Sequence, residues 1–489
     1  MLNRDQSATL ADSLRSAGYT LEEVTDRLGR EATDALTRNT TLAARDALGG
    51  ADDPQAALIR LFLLHEMLTT DAAGSALGPL APLEDSGVVT RTEDGVRAGI
   101  EIRPYAAAGA GVDFEGWIAN DLIPILDGRL GRSRPDYVLG ASPASTTLAQ
   151  MTIRRPVGSA LDLGTGCGIQ SLLLAGHADH VVATDLNPRA VRMAALTAGL
   201  NGLDLDLRTG SLYEPVADER FDLIVTNPPY VMSPPTGERL VYREGLFQAD
   251  ELVRRVVVEG ASRLAPGGTL QVLGNWAITD DQPWEERLRG WIDPTRCDAL
   301  VLQRERLDPY EYIEVWLNDA GLVGTEEYVP RYREWVDYFD ALGITGVGMG
   351  WITLYSAQRA TPDVRIEEWP HQVHQPVGEA FAAHIAGVDL GAVPILDRAW
   401  RLDERVTVET IGRPGAEDPE HIVYRQPYGF GRAVEVDTAL GAVLGASDGD
   451  LTAGQIVAAV ADILDVDARD LADELTPRLR ELVRDGWLS

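Results

Sequence analysis

Lysine is absent from this chain: all 43 of its basic residues are arginine. A GC-rich coding bias accounts for that better than a mechanism does. Positive charge is scarce as well, because 76 acidic residues leave a formal charge of -33 at pH 7. A general binder of phosphate backbones carries a basic face, and a chain this acidic repels nucleic acid on average. The arginine pairs Arg154–Arg155, Arg254–Arg255 and Arg304 with Arg306 are scattered and form no single stripe. Cysteine is nearly missing, so Cys167 and Cys297 cannot build a disulfide framework or a metal cluster by themselves. A reducing cytoplasm is the expected compartment. No run of about 18 uncharged apolar residues occurs, so no transmembrane helix and no membrane partner are expected. The first residues, "MLNRDQSATLADSL", lack a basic stretch followed by an apolar core, so no signal peptide is expected.

What remains is the composition of a globular protein, with 45% apolar residues over 489 positions. That length implies roughly two to four domains. Residues 1–108 read as short helices followed by a hairpin, the order of a winged-helix module. Thr20 and Glu23 have capping-box spacing, Asp53–Pro54 suits the cap and first turn of "QAALIRLFLLHEML", and Asp94–Gly95 marks a hairpin turn. His65–Glu66 lacks the second histidine of a zinc-protease helix.

Residues 109–358 alternate strands ("SALDLG", "HVVATD", "LDLRTG", "FDLIVTN", "GTLQVLGNW", "GWITLYS") with helical runs. This predicts an α/β fold, an open and mostly parallel sheet with helices on both faces. A Trp-, Tyr- and Arg-rich stretch, about 277–346, reads as an insertion before the last strand. Residues 359–489 read as an α+β extension that ends in helices and can itself be winged-helix-like. Thr452 and Gln455 cap one of those helices, and Leu471, Leu475, Leu479 and Leu482 form one apolar stripe. His371 and His374 in "HQVH" are not joined in the sequence by a second ligand pair at metal-site spacing and read as surface loop; no metal site is expected.

Two stretches carry chemistry. "ALDLGTGCGIQSLLLA" places Gly164, Gly166 and Gly168 between a strand and a helix, where glycine lets the backbone approach a ligand. The spacing is G-x-G-x-G, one residue short of the dinucleotide pattern G-x-G-x-x-G. Asp162 precedes it, and Asp185 ends the next strand about 20 residues on, where an acid can take a ribose diol. Cys167 reads as a small loop residue. "FDLIVTNPPYVMSPP" ends an apolar strand in Asn227, Pro228, Pro229 and Tyr230. The prolines donate nothing and hold the chain in a rigid corner that presents acceptors.

Together, "DLGTGCG", "VVATDLNPRAV" and "FDLIVTNPPY" resemble the class I S-adenosylmethionine-dependent methyltransferases. More narrowly, they resemble the amino-methyltransferases with the NPPY signature. That group includes the HemK/PrmC-type glutamine methyltransferases, the adenine-N6 enzymes and, with a close variant, the guanine-N2 enzymes of ribosomal RNA. The resemblance covers roughly Tyr137 to Trp276. It implies a Rossmann-like, doubly wound, seven-stranded core and S-adenosylmethionine as cofactor. By position, Asp162, Gly164, Thr165, Gly166, Cys167 and Gly168 hold the methionine part. Asp185 takes the ribose, with Leu186 and Asn187 beside the adenine. Ser211–Leu212 stands where relatives have Asp before an apolar residue, so a Ser hydroxyl or a backbone group must serve the adenine amino group. Ser145, Thr146 and Thr147 fall in the segment that gates the cofactor.

The resemblance also assigns the corner a task. A planar amide or exocyclic amino nitrogen is a poor nucleophile, because its lone pair is delocalised. Acceptors on both N–H groups return electron density to nitrogen; the Asn227 side chain and the Pro228 carbonyl supply them, and Tyr230 stacks on the planar group. Catalysis is then mainly positioning and charge stabilisation. The expected partner is a methyl-acceptor macromolecule, with protein glutamine favoured over a nucleobase by the acidity. A silent cofactor-binding regulator and a small-molecule methyltransferase are the rival readings.

Overall fold

The computed structural model describes residues 2–109, 112–124, 126–128, 134–235, 247–414 and 419–489. Eight strands, labelled in chain order, make its main sheet: β1 (Val157–Leu163), β2 (Ala178–Asp185), β3 (Asp206–Thr209), β4 (Phe221–Thr226), β5 (Leu264–Thr279), β6 (Asp298–Leu307), β7 (Ile344–Tyr355) and β8 (Val364–Glu368). Their order is β8-β6-β7-β5-β4-β1-β2-β3. Strands β1 to β5 pair in parallel, β7 runs antiparallel between β5 and β6, and β8 is parallel to β6. The expected seven-stranded core is present and gains one edge strand.

Local signals account for much of this. β4 is covered on both faces, so its run "FDLIVT" is apolar almost without a break instead of alternating. Helix Pro188–Leu200 starts at once after β2, because the Asn187 side chain accepts from the Arg189 N–H and Pro188 fits the first turn. The chain steps from β1 to β2 and β3 on one side, then returns to place β4 on the other side of β1. A crevice opens at such a reversal, beyond the carboxyl ends of the strands. Leu163 pairs with Thr226, so the glycine loop and the Asn227 corner leave the sheet side by side.

The insertion expected over 277–346 is narrower than the sequence reading gives. Helix Trp284–Ile292 and β6 lie within that stretch and belong to the regular fold. What is inserted, between the antiparallel partners β6 and β7, is the helix pair Pro309–Asp319 and Tyr328–Leu342. "DALVLQRERL" escapes notice because only its apolar first half is buried, while its charged second half is more exposed although it stays paired with β7.

The chain divides into two compact units, Met1–Ala149 with Arg155–Trp369, and Gln150–Arg154 with Pro370–Ser489. β8 follows residue 358 and still belongs to the main sheet. In the first unit, the N-terminal helices lead into the hairpin Val89–Thr92/Gly95–Ala98 and then a longer one, Glu101–Gly109/Val112–Asn120. Their core is continuous with the sheet's helices: Leu14, Tyr19 and Phe62 share one buried cluster with Cys167, Ile169, Ala190 and Met193. Thr20 caps its helix by accepting from the Glu23 N–H, and its hydroxyl donates to the Glu23 carboxylate, so the reciprocal half of the expected capping box is not made.

The second unit has its own core around Trp400, Leu440, Leu475 and Trp487. Thr452 and Gln455 form a full capping box, and the Leu471, Leu475, Leu479, Leu482 stripe is buried. Gly486, at φ 70°, lets the chain turn after that helix. No helix among the described residues is long and apolar enough to cross a membrane.

Candidate active site at the carboxyl ends of the sheet

A cavity of about 250 Å³ lies at the β1/β4 crevice. Asp162, Gly164 to Cys167, Asp185 to Asn187, Ser211, Leu212 and Asn227 to Pro229 all line it. Fifteen sites spread over seventy positions of sequence are thus largely brought together by one topological feature. Gly168 and Tyr230 are not among the lining residues.

The three glycines differ in what they do. All adopt left-handed backbone, at φ 76° for Gly164, 57° for Gly166 and 87° for Gly168. A methyl group built on Gly164 or Gly166 would meet nothing within 4 Å, whereas one on Gly168 would lie 3.2 Å from Ala194. The first two leave room over the cavity, and the third lets helix Pro188–Leu200 pack close. The Gly166 N–H donates to Asp185 at 2.9 Å, and the Asn187 N–H donates to the other Asp185 oxygen at 2.8 Å.

Asp162 is almost fully buried. Its Oδ2 accepts from the Thr165 hydroxyl at 2.7 Å, the Ser171 N–H at 3.0 Å and the Ser171 hydroxyl at 2.6 Å. Burial nevertheless outweighs those bonds and, with help from the Asp185 charge, pushes the carboxyl up to about 6. Burial also raises Asp185, against its two backbone donors. Among the described residues no arginine lines the cavity beside either acid, so a cationic ligand suits it. Burial pushes the Cys167 thiol up to about 12, which removes it as a nucleophile.

At the other end, Asn227 Oδ1 is buried and accepts no hydrogen bond. A buried carbonyl oxygen without a donor is costly, of the order of 1–3 kcal/mol, and Asn227 lines the cavity together with Pro228 and Pro229. Tyr230 packs its ring edge-on against Trp316, with centroids 6.3 Å apart, and burial pushes its hydroxyl up to about 12. The inserted helix Pro309–Asp319 supplies that contact. It also supplies the Tyr312 hydroxyl, which accepts from the Met232 N–H at 3.1 Å and Asn275 Nδ2 at 2.8 Å.

The remaining sites divide. Ser145 lines the cavity, while Thr146 and Thr147 do not, and the Thr147 hydroxyl donates to the Pro143 carbonyl. The Asn187 carboxamide is committed to capping its helix and to donating to the Asp136 carbonyl at 2.9 Å. Sequence reasoning passed over Gln170, whose Nε2 holds the Ser145 carbonyl at 2.7 Å, and Phe247, which lies under the Arg255 guanidinium at 4.8 Å. Tyr137 to Gly140, which open the segment "YVLGASPASTTLAQ" that the resemblance assigns to gating the cofactor, also line the cavity. Gln170 sits two residues past the last glycine of the loop, a position a helix start would aim inward; Phe247 carries no comparable signal.

An open sheet with its reversal at β1/β4, a glycine loop after β1, an acid ending β2 and an Asn-Pro-Pro-Tyr corner ending β4 make an arrangement similar to that of class I methyltransferase domains. Residues 141–290 match the family described as "Methyltransferase small domain", and residues 16–99 match a "Domain of unknown function (DUF7059)". The ribosomal protein uL3 glutamine methyltransferase of Bradyrhizobium diazoefficiens is 34% identical over 154 residues, 29% of this chain and 48% of that protein. The release factor glutamine methyltransferase of Geobacter sulfurreducens is 34% identical over 126 residues, 23% of this chain and 43% of that protein. The ribosomal RNA small subunit methyltransferase C of Alcanivorax borkumensis is 30% identical over 118 residues, 24% of this chain and 32% of that protein. The chain spans about half the length, or less, of these relatives.

Proposed function

We propose that the chain is an S-adenosylmethionine-dependent N-methyltransferase acting on a planar amide or amino nitrogen of a macromolecule, with protein glutamine the favoured acceptor. The observation that carries this reading is the buried, unpaired Asn227 oxygen at the rim of an acid-lined cavity. The cavity also fits the cofactor: Gly164 and Gly166 leave open space beside it, and two carboxylates with no arginine among the described lining residues suit a ligand with cationic groups. Asp162 and the glycine loop would hold the methionine portion, Asp185 the ribose, and Leu186, Ser211 and Leu212 the adenine. When bound, S-adenosylmethionine supplies an electrophilic methyl group on a sulfonium.

The protein's own part is to hold the acceptor nitrogen. Asn227 Oδ1 and the Pro228 carbonyl accept its two N–H groups, which localises the lone pair on nitrogen. The Pro228–Pro229 turn keeps both acceptors fixed before the acceptor arrives, so little reorganisation is needed. No strong base is required, since a methylated amide nitrogen becomes acidic and releases its proton late. The names of the glutamine-modifying relatives and the charge of -33 support a polypeptide over a nucleic acid. Both cysteines are buried and unpaired, which supports a reducing compartment, the cytoplasm.

The test has two parts. Asn227→Ala should lower turnover by about 10²- to 10³-fold, the usual cost of one such hydrogen-bonding group, and leave cofactor affinity intact; unchanged turnover refutes the role. Methyl-labelled S-adenosylmethionine, incubated with extract from a strain lacking the gene, identifies the acceptor. Label released by protease and found on glutamine supports the reading. Label that follows nuclease moves the assignment to a nucleobase, adenine N6 or guanine N2. Label in neither pool, with cofactor bound, points to a small-molecule acceptor or a silent regulator.

A further inference from the structure

Asp121 touches no part of the cavity, yet it joins two of its walls. The residue follows the hairpin Glu101–Gly109/Val112–Asn120 and is buried. Its backbone N–H donates to the Val138 carbonyl at 3.1 Å, and its Oδ2 accepts from the Val138 N–H at 2.8 Å. The same carboxylate takes the Arg189 guanidinium, with Nε at 2.9 and 3.0 Å from its two oxygens and Nη2 also in contact. Val138 belongs to the Tyr137–Gly140 wall. Arg189 stands in the first turn of helix Pro188–Leu200, beside the Asp185–Asn187 wall. Asn187 Nδ2 closes the circuit on the Asp136 carbonyl at 2.9 Å.

The hairpin itself is docked with unusual commitment. Along helix Pro188–Leu200, Thr197 Oγ1 accepts from the Ala119 N–H at 3.0 Å, and Asn201 Oδ1 accepts from the Trp117 N–H at 3.0 Å. Gly140 has no side chain because one would collide with Asn120, whose Oδ1 would lie 2.7 Å from it. On its other side the hairpin is tied to the N-terminal helices. The Tyr19 hydroxyl donates to the Ile102 carbonyl at 2.9 Å, and Trp117 Nε1 donates to the Tyr19 carbonyl at 2.7 Å.

We propose that the N-terminal module, including the matched domain of unknown function, is a structural half of the cofactor site, and that Asp121 is the positioning residue through which it sets the spacing of the two walls. This rests on the cavity being the cofactor site. Breaking a buried carboxylate shared between a backbone N–H and a guanidinium costs more than breaking a surface ion pair, since it leaves Arg189 without its hydrogen-bonded counter-charge.

Titration calorimetry with S-adenosylmethionine and S-adenosylhomocysteine, without acceptor, tests it on the full chain. Asp121→Asn keeps the shape and should weaken both ligands by about tenfold. Turnover at saturating cofactor should stay within about twofold, the reverse of the pattern for Asn227→Ala. Asp121→Glu should recover part of the affinity, which a general loss of stability would not explain. If Asp121→Asn fails to fold, Gly140→Ala applies the same test: it should weaken binding, and adding Asn120→Ala should restore it. Wild-type affinity in a folded Asp121→Asn protein, or no rescue in the double variant, overturns the proposal. No binding by the wild-type protein overturns the cofactor reading itself, and this one with it.

Discussion

Asp162 makes the affinity for a cationic cofactor depend on pH in a direction that can be worked out. Burial holds its carboxyl at about 6 in the ligand-free protein, against roughly 3.9 in an unfolded chain. The folded pKa is therefore raised, so the ionised form is the disfavoured one. For the empty protein this means that acidification from pH 7 to 4 relieves strain, by about 2 kcal/mol from this group. Binding a cation has the opposite requirement, because it needs the carboxylate. About nine in ten molecules carry it at pH 7 and about one in eleven at pH 5, so the dissociation constant should rise about tenfold between those values. Above pH 7 the Asp162 contribution should be flat. Calorimetry from pH 5 to 7, repeated in buffers of different ionisation enthalpy, would also show proton release on binding at pH 5.5. Asp162→Asn should bind more weakly and lose most of the slope; Asp185, also raised by burial, retains the remainder. Affinity that is constant over this range, or tighter in acid, refutes the assignment of Asp162 to a cationic part of the ligand.

Other outcomes follow from the same contacts. Tyr312→Phe removes one oxygen and strands two buried donors, the Met232 N–H and Asn275 Nδ2, at about 1–3 kcal/mol each. Steady-state assays should show turnover down about tenfold, because Met232 lies two residues past Tyr230, with cofactor affinity within about twofold. Leu475→Ala, at a fully buried position of the C-terminal core, should cost about 2–5 kcal/mol, with the loss of hydrogen-exchange protection confined to residues 370–489.

The legible parts of the site are those in which one local segment does one job. "DLGTGCG" declares itself because left-handed backbone over a ligand leaves glycine as the natural choice, and "NPPY" because two prolines fix a corner regardless of what surrounds it. β6 and β8 were less visible. One is half charged and the other, "VRIEE", sits at an edge where few apolar residues are needed. Tyr230 shows the limit of motif reading. Its place after Pro229 is plain, but only the inserted helix decides that its ring rests on Trp316.

By itself the sequence determined the alternation of strands and helices, the glycine loop, the acid at the end of β2, the acceptor corner and the acidic character of the whole. Each of these depends on backbone geometry or charge over a few residues. Tertiary structure alone decided that β1 and β4 lie side by side, that the Asn227 oxygen is buried without a donor, and that Asp162 is raised to about 6. It also decided that Asp121 reaches across 68 positions to Arg189. Burial and long-range contact are properties of the packed chain, set by which surfaces exclude water together, and no short window of residues contains them.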